Sequence, residues 1–159
     1  MKVAIIMGSA SDWSVVKSAD DTLKSFGVEV ELIVASAHRT PQRVHDFVKN
    51  SSAQIFIAAA GMAAHLAGVV ASLTTKPVIG VPISSEPFKG LDALLSTIQM
   101  PGGVPVATMA INGAKNAALF AVEILALQDD ELAKKLISYR EHMAAEIELK
   151  DKKLKEALL

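Results

Sequence analysis

No cysteine occurs anywhere in the chain, which excludes disulfides and thiolate chemistry and leaves a reducing compartment open. Aromatic side chains make up only 4% of the residues. The single tryptophan, Trp13, is expected as a core or interface anchor rather than a stacking platform. Charge of one sign is missing as well. The formal net charge is −1 and the basic residues are spread along the chain, so the electrostatic footprint of a nucleic-acid or membrane-surface binder is absent. Long hydrophobic runs are also lacking: Met1 to Met7 leads directly into Gly8-Ser9, too short for a signal peptide or a membrane span. These absences point to a cytoplasmic protein that handles a small ligand.

What is present is aliphatic. Apolar residues are 51% of 159 and charged ones 21%, with much of the apolar content in Ala, Val and Ile. That mixture suits one globular domain (1–159) of buried parallel strands and closely packed helices.

Along the chain, strand and helix signals alternate. Val3 to Met7 reads as a buried strand ending at Gly8, and a helix follows with Ser11 as its cap, Asp12 at its positive end and Gly27 as its stop. Val28 to Val34 reads as the second strand. Thr40-Pro41 opens a helix running to about Lys49, with Thr as its cap and Pro at its first position. Ile55 to Ala59 is a third strand, Ala63 to Leu73 an alanine-rich helix, and Val78 to Val81 a fourth strand ended by Pro82. A short helix over Leu91 to Ile98, a Pro101 to Gly103 loop, a fifth strand over Val106 to Ala110 and an apolar helix over Ala114 to Leu127 complete the series. Glu131 to about Leu158 carries Leu132, Leu136, Tyr139, Met143, Ile147, Leu154 and Leu158 at helical spacing. This C-terminal arm, residues 130–159, is expected to pack across a subunit boundary.

Alternating strands and helices without tight hairpins imply a three-layer α/β fold around a doubly wound parallel sheet, in the flavodoxin-like strand order 2-1-3-4-5. In that order the winding reverses beside strand one, and ligands bind outside the carboxyl ends there. Three loops should therefore converge: Gly8 to Asp12, Ser36 to Pro41 and Ala60 to Gly68.

In the first loop, free amides, the Ser9 and Ser11 hydroxyls and a helix start suit a phosphate, while Asp12 can accept from a ribose diol. The second, Ser36-Ala37-His38-Arg39-Thr40-Pro41, sets an imidazole beside a guanidinium at a strand end. Arg39 can fork onto a phosphate, Ser36 can add a hydrogen bond, and His38 can move a proton near neutral pH. The third, Ala58 to Leu66, offers almost no bulky polar group except His65, so main chain at Ala60, Gly61 and Ala63 can approach a flat ring. His45 and His142 belong to amphipathic helices as surface residues. No cluster has the spacing of a zinc site and no Ser, His and acid set forms a hydrolase triad, so the chemistry is expected to need neither metal nor cofactor.

Taken together, Gly8-Ser9-x-Ser11-Asp12, Ser36-Ala37-His38-Arg39-Thr40-Pro41, Ala60-Gly61-x-Ala63-Ala64-His65-Leu66-x-Gly68 and Gln99-Met100-Pro101-Gly102-Gly103-Val104-Pro105-Val106 resemble the PurE family of purine biosynthesis. The match covers nearly the whole chain. It implies an enzyme acting on a small ribonucleotide: the class I mutase that moves a carboxylate from the exocyclic nitrogen of N5-carboxyaminoimidazole ribonucleotide to ring carbon C4. Class II relatives, which carboxylate aminoimidazole ribonucleotide with carbon dioxide, typically carry Lys after the His and lack Ala-Ala-His-Leu; this chain has Arg39 and keeps His65.

Carried over by position, the resemblance makes His38 the acid/base and His65 its assistant or a carboxylate holder. Ser9, Ser11, Asp12, Ser36 and Arg39 would bind phosphate and ribose, with Ala60, Gly61, Ala63 and Leu66 around the ring. It also implies a homo-octamer whose C-terminal helices cross to neighbours. Ala67 departs from the family's usual His-Leu-Pro-Gly. The alternatives are direct carboxylation and a non-catalytic flavodoxin-like module, although the first loop lacks a flavodoxin's Thr/Ser-rich phosphate cradle.

Overall fold

The computed structural model describes residues 1–158, and among them five runs form one parallel sheet: β1 (Lys2–Met7), β2 (Glu29–Val34), β3 (Ile55–Gly61), β4 (Val78–Ile83) and β5 (Ala107–Thr108). Their order is β2-β1-β3-β4-β5. The helices between them are α1 (Trp13–Ser25), α2 (Pro41–Asn50), α3 (Leu66–Leu73), α4 (Leu91–Ile98), α5 (Ala114–Ala126) and α6 (Asp130–Ala157), with a 3-10 turn at Ala10–Asp12. Two compact units result, Met1–Ala121 and the residues from Val122 onward. Among the described residues no helix is long and apolar enough to cross a membrane.

β1 and β3 are central and buried on both faces, so they read as continuous apolar runs instead of alternating ones. Ala4, Ile6, Phe56 and Ala58 point to one face, where α2 brings Val44 and Val48 and α3 brings Leu66, Ala67 and Val70. Val3 and Ile5 point to the other face, above which α1 buries Val16, Ala19 and Leu23. Right-handed crossovers require this split, because the chain leaves β1 in one direction along the sheet and returns past it in the other. β2 lies at the edge and is only half covered: Leu32 is 41% and Val34 39% exposed. In the second unit Val122, Leu125 and Leu132 are buried, and Arg140 pairs with Glu123.

Five local expectations are corrected, the last in part. Ser9, not Ser11, is the capping residue: its extended backbone lets its hydroxyl accept from the Ser11 amide, and Asp12 reaches back to the Ser9 amide in a capping box around the 3-10 turn. α3 starts at Leu66 rather than Ala63, because Met62 to Ala64 form tight turns before it. β4 continues through Pro82 to Ile83. The Gly80 and Pro82 carbonyls accept from the Met109 and Asn112 amides on the β5 side, where β5 has already ended, so no ladder bond needs the missing N–H. β5 itself is only two residues long. Trp13 opens α1 at 37% exposed, which overturns the core half of its expected role as a core or interface anchor and leaves the interface half untouched.

Candidate active site

The reversal of winding leaves a cavity of about 670 Å³ over the carboxyl ends of β1 and β3. From the β1 loop it takes Gly8, Ser9, Ser11 and Asp12; from the β2 loop Ser36, His38 and Arg39; from the end of β3, the turn after it and the start of α3 it takes Ala60, Gly61, Ala63 and Leu66. Of the side chains expected in the site only His65 is outside this lining. It borders a neighbouring cavity with Gly68, Gln99 and Met100.

The first loop is held by its own side chains. Asp12 is buried, with Oδ2 accepting from the Ser9 amide at 3.0 Å and Oδ1 from the Ser11 hydroxyl at 3.5 Å. Burial raises the Asp12 carboxyl above its ordinary pKa, while the Ser9 amide, the Ser11 hydroxyl and the Arg39 charge pull the other way. The Ser9 and Ser11 hydroxyls bond each other at 2.8 Å. Because the amides of Ser9, Ser11 and Asp12 are all engaged within the loop, an anion here meets hydroxyls and Arg39 rather than the row of bare amides expected from a helix start.

Arg39 ties two loops together. One of its terminal N–H groups donates to the Gly8 carbonyl at 3.0 Å, leaving the rest of the guanidinium fork for an anion. The second loop is closed at its base. The Thr40 hydroxyl accepts from the Ser36 amide at 2.9 Å and the Ser36 hydroxyl accepts from the Arg39 amide at 3.2 Å. Thr40 therefore braces this loop instead of capping α2 with its side chain, and Pro41 takes the first helical position.

The third loop turns on Met62, a non-glycine residue in the left-handed region at φ 55°. Met62 and Ala63 carbonyls accept from Ala64 and His65 amides at 2.9 and 2.8 Å, and the His65 carbonyl accepts from Val69 at 2.9 Å, so His65 is the N-cap residue of α3. This seats His65 Nδ1 2.9 Å from His38 Nε2, with the two rings nearly perpendicular at 83°. Two imidazoles 27 positions apart are thus one hydrogen-bonded pair. Ala67 is buried in the first turn of α3, where an amide needs no partner four residues back, so alanine occupies a position that proline could also hold.

A fourth wall was not read from the sequence. Ile83 at the end of β4, Ser84 and Ser85 just after it, and Asn112 after β5 also line the cavity. Asn112 adopts φ 59° and its side-chain oxygen accepts from the Ser84 amide at 2.9 Å, which joins the two loops. The Ser85 hydroxyl is buried there without a partner among the described residues. The available signal was the Asn112-Gly113 turn pair; taking Pro82 as the strand end hid the rest. No group of three His, Asp or Glu side chains gathers to hold a metal among the described residues.

Such a cavity has hydroxyls and a guanidinium at one end, a buried carboxylate beside them, an imidazole pair at its wall and small apolar side chains between. It can hold a phosphorylated, ring-bearing molecule and exchange a proton with it. The family model described as AIR carboxylase matches residues 2–146. The N5-carboxyaminoimidazole ribonucleotide mutase of Methanocaldococcus jannaschii is 59% identical over 97% of this chain and 98% of its own. The mutase of Thermotoga maritima is 49% identical over 98% of this chain and 92% of its own. Among solved structures, PurE of Treponema denticola superposes with a TM-score of 0.88 at 35% identity, covering 97% of this chain and 98% of that one.

Proposed function

The chain belongs to the AIR carboxylase family, and we propose that within it this protein is the mutase that converts N5-carboxyaminoimidazole ribonucleotide to 4-carboxy-5-aminoimidazole ribonucleotide. The observation that carries this reading is the 59% identity, over 97% of the chain, to a relative bearing that activity in its name. The geometry supplies the roles.

Ser9, Ser11, Ser36 and Arg39 grip the phosphate, and Asp12 accepts from the ribose hydroxyls, which sets the aminoimidazole ring against Ala60, Gly61, Ala63 and Leu66. The bond between N5 and the carboxylate carbon breaks, carbon dioxide leaves, and the electron pair left on N5 takes a proton from His38. C4 then attacks the trapped carbon dioxide, and His38 removes the C4 proton as the new carbon–carbon bond is completed. Protons balance over the cycle, so one imidazole serves both halves. The alanine and glycine wall lets a small apolar molecule rest while water is kept out.

This enzyme works in the cytoplasm as a homo-octamer, with α6 packed on a neighbouring subunit. In support, Ile137, Met143, Ile147, Leu149 and Leu154 of α6 are 48–65% exposed, more apolar surface than a solvated helix retains.

The test compares two feeds: the N5-carboxylated nucleotide, and aminoimidazole ribonucleotide with bicarbonate. Fast conversion of the first and slow conversion of the second is expected. Equal turnover of both would replace the mutase by a carboxylase.

A further inference from the structure

We propose that Nδ1 of His38 is the nitrogen that exchanges the proton with substrate, and that His65 is the positioning residue that keeps it so by accepting a hydrogen bond from His38 Nε2–H. This rests on the functional reading above and assigns its acid/base step to one atom.

The 2.9 Å separation between His38 Nε2 and His65 Nδ1 requires one nitrogen to carry the hydrogen and the other a lone pair. The surroundings choose between the two arrangements. His65 is the N-cap residue of α3 and its side chain makes no capping bond, so its Nδ1 lone pair is not drawn into the helix. The amides that open α3 present positive potential to a ring seated there, which favours the lone pair on the His65 side and the hydrogen on the His38 side. A neutral His65 then carries its hydrogen on Nε2, and His38 donates through Nε2.

The consequence for His38 follows from valence. With Nε2 committed, Nδ1 is the one nitrogen left on a ring that lines the substrate cavity, whereas His65 borders the adjacent cavity. The pair spans the wall between the two, with the His65 ring on the side away from the substrate cavity. In the neutral pair His38 Nδ1 is a base; with a hydrogen on Nδ1, the His38 imidazolium keeps its Nε2–H bond to His65. Both half-reactions then use the same atom without turning the ring: Nδ1–H gives its hydrogen to N5, and Nδ1 takes the hydrogen leaving C4. Without the acceptor on His65, His38 can flip its ring or change tautomer, and Nδ1 is no longer reliably presented.

Two measurements test this. Nitrogen-15 NMR of the labelled full-length protein, at a pH where both rings are neutral, should find His38 as the Nε2–H tautomer, with scalar coupling across the bond to His65 Nδ1. The Nδ1–H tautomer on His38 would overturn the assignment. In steady-state kinetics with the N5-carboxylated nucleotide, His65→Leu should lower kcat about a hundredfold with KM nearly unchanged, and His65→Asn, whose amide oxygen can accept, should recover most of the loss. Wild-type kcat in His65→Leu would contradict the proposal. Should that variant not fold, the NMR measurement on the unaltered protein still decides. Failure of the unaltered protein to turn the nucleotide over would strike the functional reading instead, while the tautomer remains readable.

Discussion

At the scale of single residues, the proposed chemistry rests on His38 and the proposed binding on its neighbours. Replacing His38 by Asn should reduce kcat by about two to four orders of magnitude while leaving the circular dichroism spectrum intact, because His38 is exposed and supports no core contact. Asp12 behaves differently, since its carboxyl is raised by burial. The folded state binds that proton more tightly than the unfolded chain, so the Asp12 contribution to stability is greatest below the unfolded pKa of about 3.9 and is lost as pH rises through the folded value. Asp12→Asn keeps an acceptor for the Ser9 amide and removes the buried charge. Urea denaturation at neutral pH should therefore find it at least as stable as the parent, with KM increased through the lost ribose contact. A clear loss of stability would show that the carboxylate is needed structurally. That His38, Arg39, Ser9, Ser11 and Asp12 share one cavity was legible because all lie in loops at the strand ends where the winding reverses. The hydrogen bond from His38 to His65 was not legible, because it depends on tight turns at Met62 that no spacing rule announces.

At the scale of elements, Gly80 shows what the layers require. A Cβ there would lie 2.5 Å from Thr97 Cγ2 on α4, 3.0 Å from Val106 Cγ1 and 3.3 Å from the Ala67 Cβ on α3. β4 can therefore be covered by both helices only if it carries no side chain at that point. Gly80→Ala should destabilise the protein by about 1–3 kcal/mol in chemical denaturation, from overpacking against the buried Thr97. An unchanged midpoint would mean that α4 is free to shift. The strand order and most helices were readable from the sequence: buried parallel strands leave apolar runs, and Gly27, Pro41 and Gly61 mark where runs stop or helices begin. Where reading failed, a local rule lost to a neighbour. Proline does not end β4, because the adjacent strand stops first, and the capping hydroxyl is Ser9, because a 3-10 turn precedes α1.

At the scale of the whole molecule, assembly and catalysis give separate tests. Sedimentation should find a species near eight times 16.8 kDa. Ile147→Asp together with Leu154→Asp, both at exposed positions of α6, should shift it to smaller species. An unaltered octamer would remove α6 from the subunit contacts. No residue pattern could specify the number of subunits, since a self-complementary patch and its closure are properties of surfaces. The most direct test of the central claim is a crystal structure with 4-carboxy-5-aminoimidazole ribonucleotide bound. The phosphate should lie on Ser9, Ser11 and Arg39, with His38 Nδ1 within hydrogen-bonding reach of the region between C4 and the exocyclic nitrogen. A nucleotide lodged elsewhere, or a His38 ring turned away from it, would contradict the account.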